Sequence, residues 1–463
     1  MTTAREAQIE LLSREYRGLA SEGRRWGPDG PVWFMYRNDH ILVRDEYWDR
    51  ACALLLEAGY LSGEGPNGEF RKAQAESARV WEVEEAAWAN DRDIENPFGL
   101  DEVREQAPGE QVVQGVRLLR LNGSRRQPLD ALRALRDGTD SDRGWLQGLG
   151  RGVATPDHLL SITNGTFPGA SGGCPATEPV PVPAGTPRLP RPNRHRLAGE
   201  GVRVAIVDTG LDREAVLTTP WLAGVRGNPD PNIGTGTPRP LGPYAGHGTF
   251  IAGVVRTMAP AAEVVVRRGF GRAGAVFEST LVRKLDWVLQ NDYPDVISLS
   301  AGTYAFDPTG LLTFEMFHRN RLRHHKGIVL VAAAGNQGSR KFFWPAAAPW
   351  SVSAGALDRN WRADAEFSNH GGWVDVMAPG EDLVNVYPQG TYTYQEPPNQ
   401  GNQADFTGLA SWSGTSFSTP VVAGAIAARM SRTGENGRTA ARALLRRARR
   451  HHHLPGVGAA LIP

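Results

Sequence analysis

Cysteine is nearly absent from this chain of 463 residues: there are two, Cys52 and Cys174. No disulfide framework follows from so few. Cys52 falls on an apolar helical pattern, as a small buried hydrophobe would, and Cys174 sits in a Gly/Pro-rich connection. Long apolar runs are missing too. No stretch approaches the roughly 18 to 20 apolar residues that spanning a bilayer requires, which excludes a membrane-spanning reading. The amino terminus, Met-Thr-Thr-Ala-Arg-Glu, stays charged and amphipathic through Tyr16, with neither the apolar core nor the small-residue cleavage site of a secretory signal. A cytoplasmic chain is expected, on which the glycosylation triplets at Asn122 and Asn164 are accidental. An excess of one charge is also lacking, since 51 Lys and Arg residues stand against 50 Asp and Glu. Net charge therefore points to neither nucleic acid nor a membrane surface, and the predominance of arginine among the basic residues is ascribed to coding bias. No acidic loop has a legible calcium-ligand pattern, and the adjacent His451, His452 and His453 lack metal-ligand spacing, so neither metal nor cofactor is expected.

The chain is too long for one ordinary core, and two domains are expected. In residues 1–163, Pro31 to Arg37 and Ile41 to Arg44 flank Asn38-Asp39 in the manner of a hairpin. Glu46 to Tyr60 places Ala51, Leu54, Leu55 and Ala58 on one helix face, and a charged helical stretch runs from Phe70 to Asn90. Gln111 to Leu121 reads as a strand, Pro128 to Arg136 as a helix with Leu129, Leu132 and Leu135 aligned, and Val153 to Thr163 as a closing strand. This order predicts a small α+β domain. Residues 164–198 contain Pro175, Pro179, Pro181, Pro183, Pro187, Pro190 and Pro192 without apolar periodicity, which predicts an extended polyproline-like connector. Residues 199–463 form the second domain, whose arginine-rich stretch from Arg438 to His453 reads as a solvated helix face.

The second domain carries the chemistry. Val202 to Val207 is an apolar β-rich run suited to a parallel strand buried on both faces, and Asp208 follows at its carboxyl end, in Asp-Thr-Gly. Ligands of open α/β sheets gather at that edge, although many buried strands simply end in a polar turn. Gly-His-Gly-Thr, residues 246–249, puts His247 ahead of the helical stripe Ile251, Ala252, Val254 and Val255. A lone histidine there is most often structural, but its flanking glycines clear space for backbone or substrate. Ile328 to Ala334 is another buried strand, ended by Gly335-Asn336, where asparagine is a common turn residue. The most specific signal is Gly-Thr-Ser-Phe-Ser-Thr-Pro, residues 414–420, which places Ser416 at the start of a helix with Pro420 in its first turn. A serine hydroxyl attacks poorly at neutral pH without a histidine base, an orienting carboxylate and oxyanion donors. All three lie upstream, in the order Asp208, His247, Asn336. Between them, Asp295 to Gly302 reads as a strand stopped by glycine, whose small side chains argue for something lying against it.

With these motifs in this order, the chain resembles the subtilisin-like serine peptidases (subtilases) over roughly residues 200–450. The resemblance implies an α/β fold, a mostly parallel sheet flanked by helices, here preceded by the small α+β domain. It implies a serine endopeptidase acting on polypeptide substrates without a cofactor. By motif match, Ser416 is the nucleophile, His247 the general base and Asp208 its orienting carboxylate, while Asn336 and the Ser416 N–H hold the oxyanion. Ser300, Ala301 and Gly302 match positions that line the pocket for the residue before the scissile bond and pair with substrate backbone. The loop Gly269 to Gly274, with Gly271, lies where the family has the opposite edge of the cleft, and Trp344-Pro345 matches a bond often held cis. Two positions depart from the pattern, Phe250 for a common histidine and Ser418 for a usual alanine, and both are expected to alter packing only. Ala154 to Ser161 resembles the last strand of the propeptide-like inhibitor domains that precede many subtilases, which implies a restraining N-terminal domain; an unrelated accessory domain is the alternative. The competing reading of the whole chain is a peptide-binding protein on the same fold, without turnover.

Overall fold

The computed structural model describes residues 11–62, 111–162 and 177–463, apart from Ser13, Pro28, Asp29, Arg126, Arg143, Arg272 and Lys326. The stretch from Phe70 to Asn90 and Cys174 lie outside the described residues. Asp39 decides the course of the first strands. It takes a left-handed φ of 53°, which a short polar side chain tolerates, and its carboxylate accepts from His40 Nδ1 at 2.9 Å and Arg120 Nε at 3.3 Å. The chain therefore continues as one strand, β2 (Gly30–Arg44), where a hairpin was expected, and its pairing with the closing strand shifts between Tyr36 and Ile41. The hairpin forms one strand earlier, between β1 (Ala20–Gly27) and β2. After α1 (Trp48–Glu57), the expected single strand is a tight pair, β3 (Gln111–Val113) and β4 (Val116–Arg120), turning at Gly115 with φ 97°. Helix α2 (Pro128–Asp137) and strand β5 (Ala154–Ile162) complete the unit. Leu55 and Ala51 of α1 and Leu132 and Leu135 of α2 share one apolar cluster with Ile41, Val43 and Leu119 of the sheet. Cys52 lies in that cluster, where burial pushes its thiol up to about 12.

The second unit begins with β6 (Arg203–Asp208), followed by α3 (His247–Met258), β7 (Glu263–Arg268), β8 (Ala275–Phe277), α4 (Glu278–Asn291), β9 (Val296–Leu299), β10 (Ala301–Gly302) and α5 (Leu312–Asn320). It continues with β11 (Val329–Ala333), β12 (Val352–Leu357), β13 (Val376–Pro379), β14 (Leu383–Thr393), β15 (Gln403–Trp412), α6 (Thr415–Thr433) and α7 (Gly437–His451). A parallel seven-stranded sheet runs from the short strand Arg226–Gly227 through β7, β6, β9, β11 and β12 to β13. Alternation along β6 sends Val204 and Ile206 to the cluster of α3 and α6, and Ala205 and Val207 to that of α4 and α5. Both faces are thus covered, as an all-apolar strand requires. Among the described residues no helix is long and apolar enough to cross a membrane, and no three His, Cys, Asp or Glu side chains are grouped to hold a metal.

A second seven-stranded sheet, antiparallel throughout, joins the two units. Its order is β8-β5-β2-β4-β3, with β1 on β2 and β10 on β5, so the last N-terminal strand lies between two strands of the second unit.

The later part of the expected connector adheres to the second unit. Val180 and Pro181 pair with β15, Leu189 bridges Val384, and Asn193 Nδ2 donates to the Met258 carbonyl at 2.9 Å. Glu178 anchors its start, accepting from Tyr392 Oη and Gln395 N, both at 2.8 Å, and from Glu396 N at 3.1 Å. Burial, with the Glu178 charge beside it, pushes the neighbouring Glu396 carboxyl up to about 8. A carboxyl whose folded pKa exceeds its unfolded value contributes stability that is whole below the unfolded pKa and fades as pH rises through the folded one. Stability is therefore expected to fall between the ordinary glutamate range and about pH 8. Glu396→Gln should flatten that decline in thermal unfolding across pH, raising Tm at pH 8 by about 5 °C; an unchanged profile would remove Glu396 as its source.

Candidate active site

Strand β6 ends in Asp208, fully buried at the carboxyl edge of the parallel sheet. Its Oδ1 accepts from His247 Nδ1 at 2.7 Å and from Thr209 N at 2.8 Å. That bond puts the proton of the neutral imidazole on Nδ1 and turns Nε2 into the basic nitrogen. His247 is the first residue of α3, and the glycines beside it are sterically required. A Cβ on Gly248 would stand 2.4 Å from the Gly210 carbonyl oxygen, and one on Gly246 2.2 Å from Pro388 Cδ. Larger residues would push the helix start away from Asp208.

A second buried carboxylate fixes this junction. Asp230 Oδ2 accepts from Gly246 N at 2.8 Å and Thr209 Oγ1 at 2.9 Å, and its Oδ1 accepts from Asn232 N and Nδ2 at 2.9 and 3.0 Å. Thr209 Oγ1 in turn accepts from Gly248 N at 3.2 Å. Burial pushes the Asp230 carboxyl up to about 6 even against these donors. Asp230 lay outside the motifs; the only local signal was a turn-forming Asp-Pro-Asn in a Gly/Pro-rich loop. The His247 ring packs edge-on to Trp412 and obliquely against Phe417, each at 5.3 Å between centroids. Phe250 joins them, 4.7 Å from Phe417 and 5.8 Å from Trp412. The residue that departs from the family pattern thus backs the two rings that seat the histidine.

Asn336 follows β11. Its Oδ1 accepts from Thr415 N at 2.9 Å and Thr415 Oγ1 at 2.8 Å, which ties it to the first turn of α6 and leaves Nδ2 uncommitted. Among the described residues, Asn336 Nδ2 and His247 Nε2 are both buried without a hydrogen-bond partner. Ser416 is the second residue of α6, between them in the chain of contacts through Thr415 and Phe417. Pro420 lies inside the helix, beyond the first turn where it was expected. Lacking an N–H, it cannot donate to the carbonyl of Ser416. The Ser300 hydroxyl donates to that oxygen at 2.7 Å instead.

Next to Ser300, whose hydroxyl reaches the serine helix, β10 pairs with the chain's own strand β5. Ser161 pairs with Gly302 on one side and Ala275 on the other, Ile162 with Ala301, and Leu160 with Val276. Ile162 N donates to the Gly274 carbonyl at 2.8 Å. Ala301 and Gly302 thus pair with the chain's own strand β5, and the Ser300 hydroxyl donates into the serine helix. Gly271 does not reach the strand: its N–H donates back to Ala275 O at 3.1 Å and its carbonyl accepts from Gly274 N at 3.0 Å, closing a turn. The pairing edge is Gly274 to Phe277, apolar residues whose sequence gave no sign of it. Trp344-Pro345 is cis.

A sequence model described as the subtilase family matches residues 199–458. Subtilisin Savinase of Lederbergia lenta is 31% identical over 258 residues, covering 53% of this chain and 83% of that protein. Subtilisin E of Bacillus subtilis (strain 168) is 29% identical over 267 residues, covering 53% of this chain and 60% of that protein. Among solved structures, a cold adapted subtilisin-like serine proteinase aligns with TM-score 0.43 at 22% identity, over 57% of this chain and 90% of its own. The match spans more than half of the chain, encloses the carboxylate, imidazole, amide and hydroxyl described above, and begins where the parallel sheet begins: the chain belongs to the subtilase family.

Proposed function

We propose that this chain is an endopeptidase in which Ser416 attacks the peptide carbonyl, His247 Nε2 takes the proton and returns it to the leaving amine, and Asp208 holds the ring and balances the imidazolium. The oxyanion of the tetrahedral intermediate is received by Asn336 Nδ2 and the Ser416 N–H, near the positive end of α6. The observation that carries this reading is the pair of buried, unpartnered atoms His247 Nε2 and Asn336 Nδ2, on side chains that contact Phe417 and Thr415, the residues on either side of Ser416. Buried polar atoms are normally satisfied, and here the missing partners are a hydroxyl proton and an oxyanion. Fluorophosphonate labelling tests it: covalent modification at Ser416 with peptide hydrolysis supports the enzyme, whereas peptide affinity without labelling supports a silent binder.

The N-terminal unit acts, on the same reading, as a restraint. Its support is that β5 fills the track beside Ser416 and is locked by buried polar groups at two helix starts. Asp157 accepts from Ser279 N at 2.9 Å and Ser279 Oγ at 2.7 Å at the start of α4, and pairs with the buried Arg37 at 3.0 Å. Arg37 also lies over the Phe277 ring, 4.1 Å from its centroid. His158 Nδ1 donates to Glu278 at 2.7 Å and its Nε2 accepts from Phe306 N at 2.9 Å, while Glu278 accepts from Thr313 N at 2.8 Å at the start of α5. Removing one partner of a buried ion pair costs about 3–5 kcal/mol. Asp157→Ala in the full chain is therefore expected to raise hydrolysis of a peptide substrate at least about tenfold, since each 1.4 kcal/mol is worth about a factor of ten in an equilibrium. Equal rates in the two proteins would assign the N-terminal unit to targeting or partner binding.

A further inference from the structure

We propose that Phe343 fills the subsite for the residue before the scissile bond, so that the enzyme cleaves after glycine, alanine or serine and rejects large side chains. The inference rests on Ser416 being the nucleophile. Strand register locates the subsite. Ser161 lies opposite Gly302 and Ile162 opposite Ala301, so a peptide in the same track sets its next residue opposite Ser300. The Ser300 hydroxyl is bonded to the Ser416 carbonyl, which makes that residue the one presented to the serine. Directly opposed residues of an antiparallel pair point to the same face, and alternate residues share a face. The side chain opposite Ser300 therefore points where a Cβ on Gly302 would point.

That direction is occupied. A Cβ on Gly302 would stand 2.4 Å from Phe343 Cε1, and one on Gly335, next to Asn336, would stand 3.1 Å from Phe343 Cδ1. The ring thus lies against both glycines, where an added Cβ would also meet Trp344 O at 2.5 Å from Gly302 and Asn369 Nδ2 at 2.5 Å from Gly335. It is held there. Thr303 and Trp344 exchange backbone hydrogen bonds of 2.8 Å in both directions, pinning the segment that carries Phe343 to the end of β10. Tyr304 packs edge-on against the ring at 5.4 Å, and its hydroxyl donates to Gln337 at 3.3 Å. Phe343 is fully buried in a cluster that includes Leu12, Val32, Met35 and Leu159 of the N-terminal unit, and when substrate takes the track the ring keeps its packing on Tyr304 and its hold through Trp344 and Thr303. The two glycines leave the backbone track open while the phenylalanine limits its depth.

The test uses the full chain carrying Asp157→Ala, with active molecules counted by fluorophosphonate labelling of Ser416. Substrates are peptides Leu-Ser-Ile-X with a chromogenic leaving group, copying Leu160 to Ile162 and varying X among Ala, Ser, Leu and Phe. The expected kcat/KM for Ala exceeds that for Phe by about 100-fold or more, the range a pocket mismatch supplies. Phe343→Gly should raise the Phe-to-Ala ratio about 100-fold, and Phe343→Leu, a milder change that keeps an apolar filler, should move it in the same direction by less. A labelled parent that cleaves readily after Phe or Leu, or labelled variants with an unmoved ratio, would overturn the proposal. Absence of labelling in every protein would instead remove the nucleophile assignment, and this inference with it.

Discussion

Ser416→Ala is expected to lower peptide turnover by about 10⁶-fold, the size of the loss when subtilisin is stripped of its serine, and to abolish fluorophosphonate labelling while leaving Tm within about 1 °C. The asymmetry between the two effects follows from what the hydroxyl does. Ser416 is buried at the first turn of α6, and its carbonyl accepts the hydrogen bond of the Ser300 hydroxyl. The substitution removes one oxygen and keeps that backbone bond. The residual rate would come from the oxyanion donors and substrate positioning, which remain. Labelling that persists at another serine would show that the nucleophile lies elsewhere.

Asn336→Ala is the second large effect, a fall in kcat of about 10²- to 10³-fold with a much smaller change in KM. An oxyanion donor acts on charge that exists only in the transition state, so ground-state binding should hardly register its loss. The side chain also has a structural half, because Oδ1 accepts from Thr415 N and Oγ1. Losing an acceptor from a helix start costs about 1 kcal/mol, visible as a lower Tm but far too small for the kinetic effect. A drop in kcat that tracks the drop in stability across temperature would refute the oxyanion role and leave only the structural one.

Asp208, His247, Asn336 and Ser416 were legible because each stands at a strand end or helix start whose geometry needs particular neighbours, and those neighbours form short motifs. The glycines around His247 show the reason: their Cβ atoms would collide with Gly210 and Pro388, so the space for the histidine is written beside it. The alternating patterns of β5, α1 and α2 were legible for a similar reason, since one buried face imprints a period. Asp230 and Phe343 were not, because the partners that give them meaning, Thr209 and Gly246 for one and Gly302 for the other, belong to other segments of the chain. Phe343 matters through Gly302 and Gly335, and nothing local distinguishes it from an ordinary core phenylalanine. Asn38-Asp39 carried a turn signal that lost to pairing on both sides of β2. Proline richness likewise suggested a free connector, yet Glu178, Leu189 and Asn193 hold that segment to the second unit through partners more than 60 residues away.

On the proposed reading of the N-terminal unit, the strand lodged between β8 and β10 makes its restraint a question of dilution. In the intact chain that strand is tethered, and a tethered ligand behaves as if present at about millimolar concentration however little protein is in the tube. Its occupancy is then indifferent to total concentration. Severing the backbone between Ile162 and Thr177 leaves the pairings of β5 with β8, β2 and β10 intact, so the strand stays in place at first, but as a separate molecule whose departure is now rewarded by volume. Cut and uncut samples would look alike when concentrated and part company when diluted, the cut one gaining activity per molecule as the inhibitor falls below its own dissociation constant. The same interface is thus permanent or temporary according to one peptide bond, with no change in its geometry.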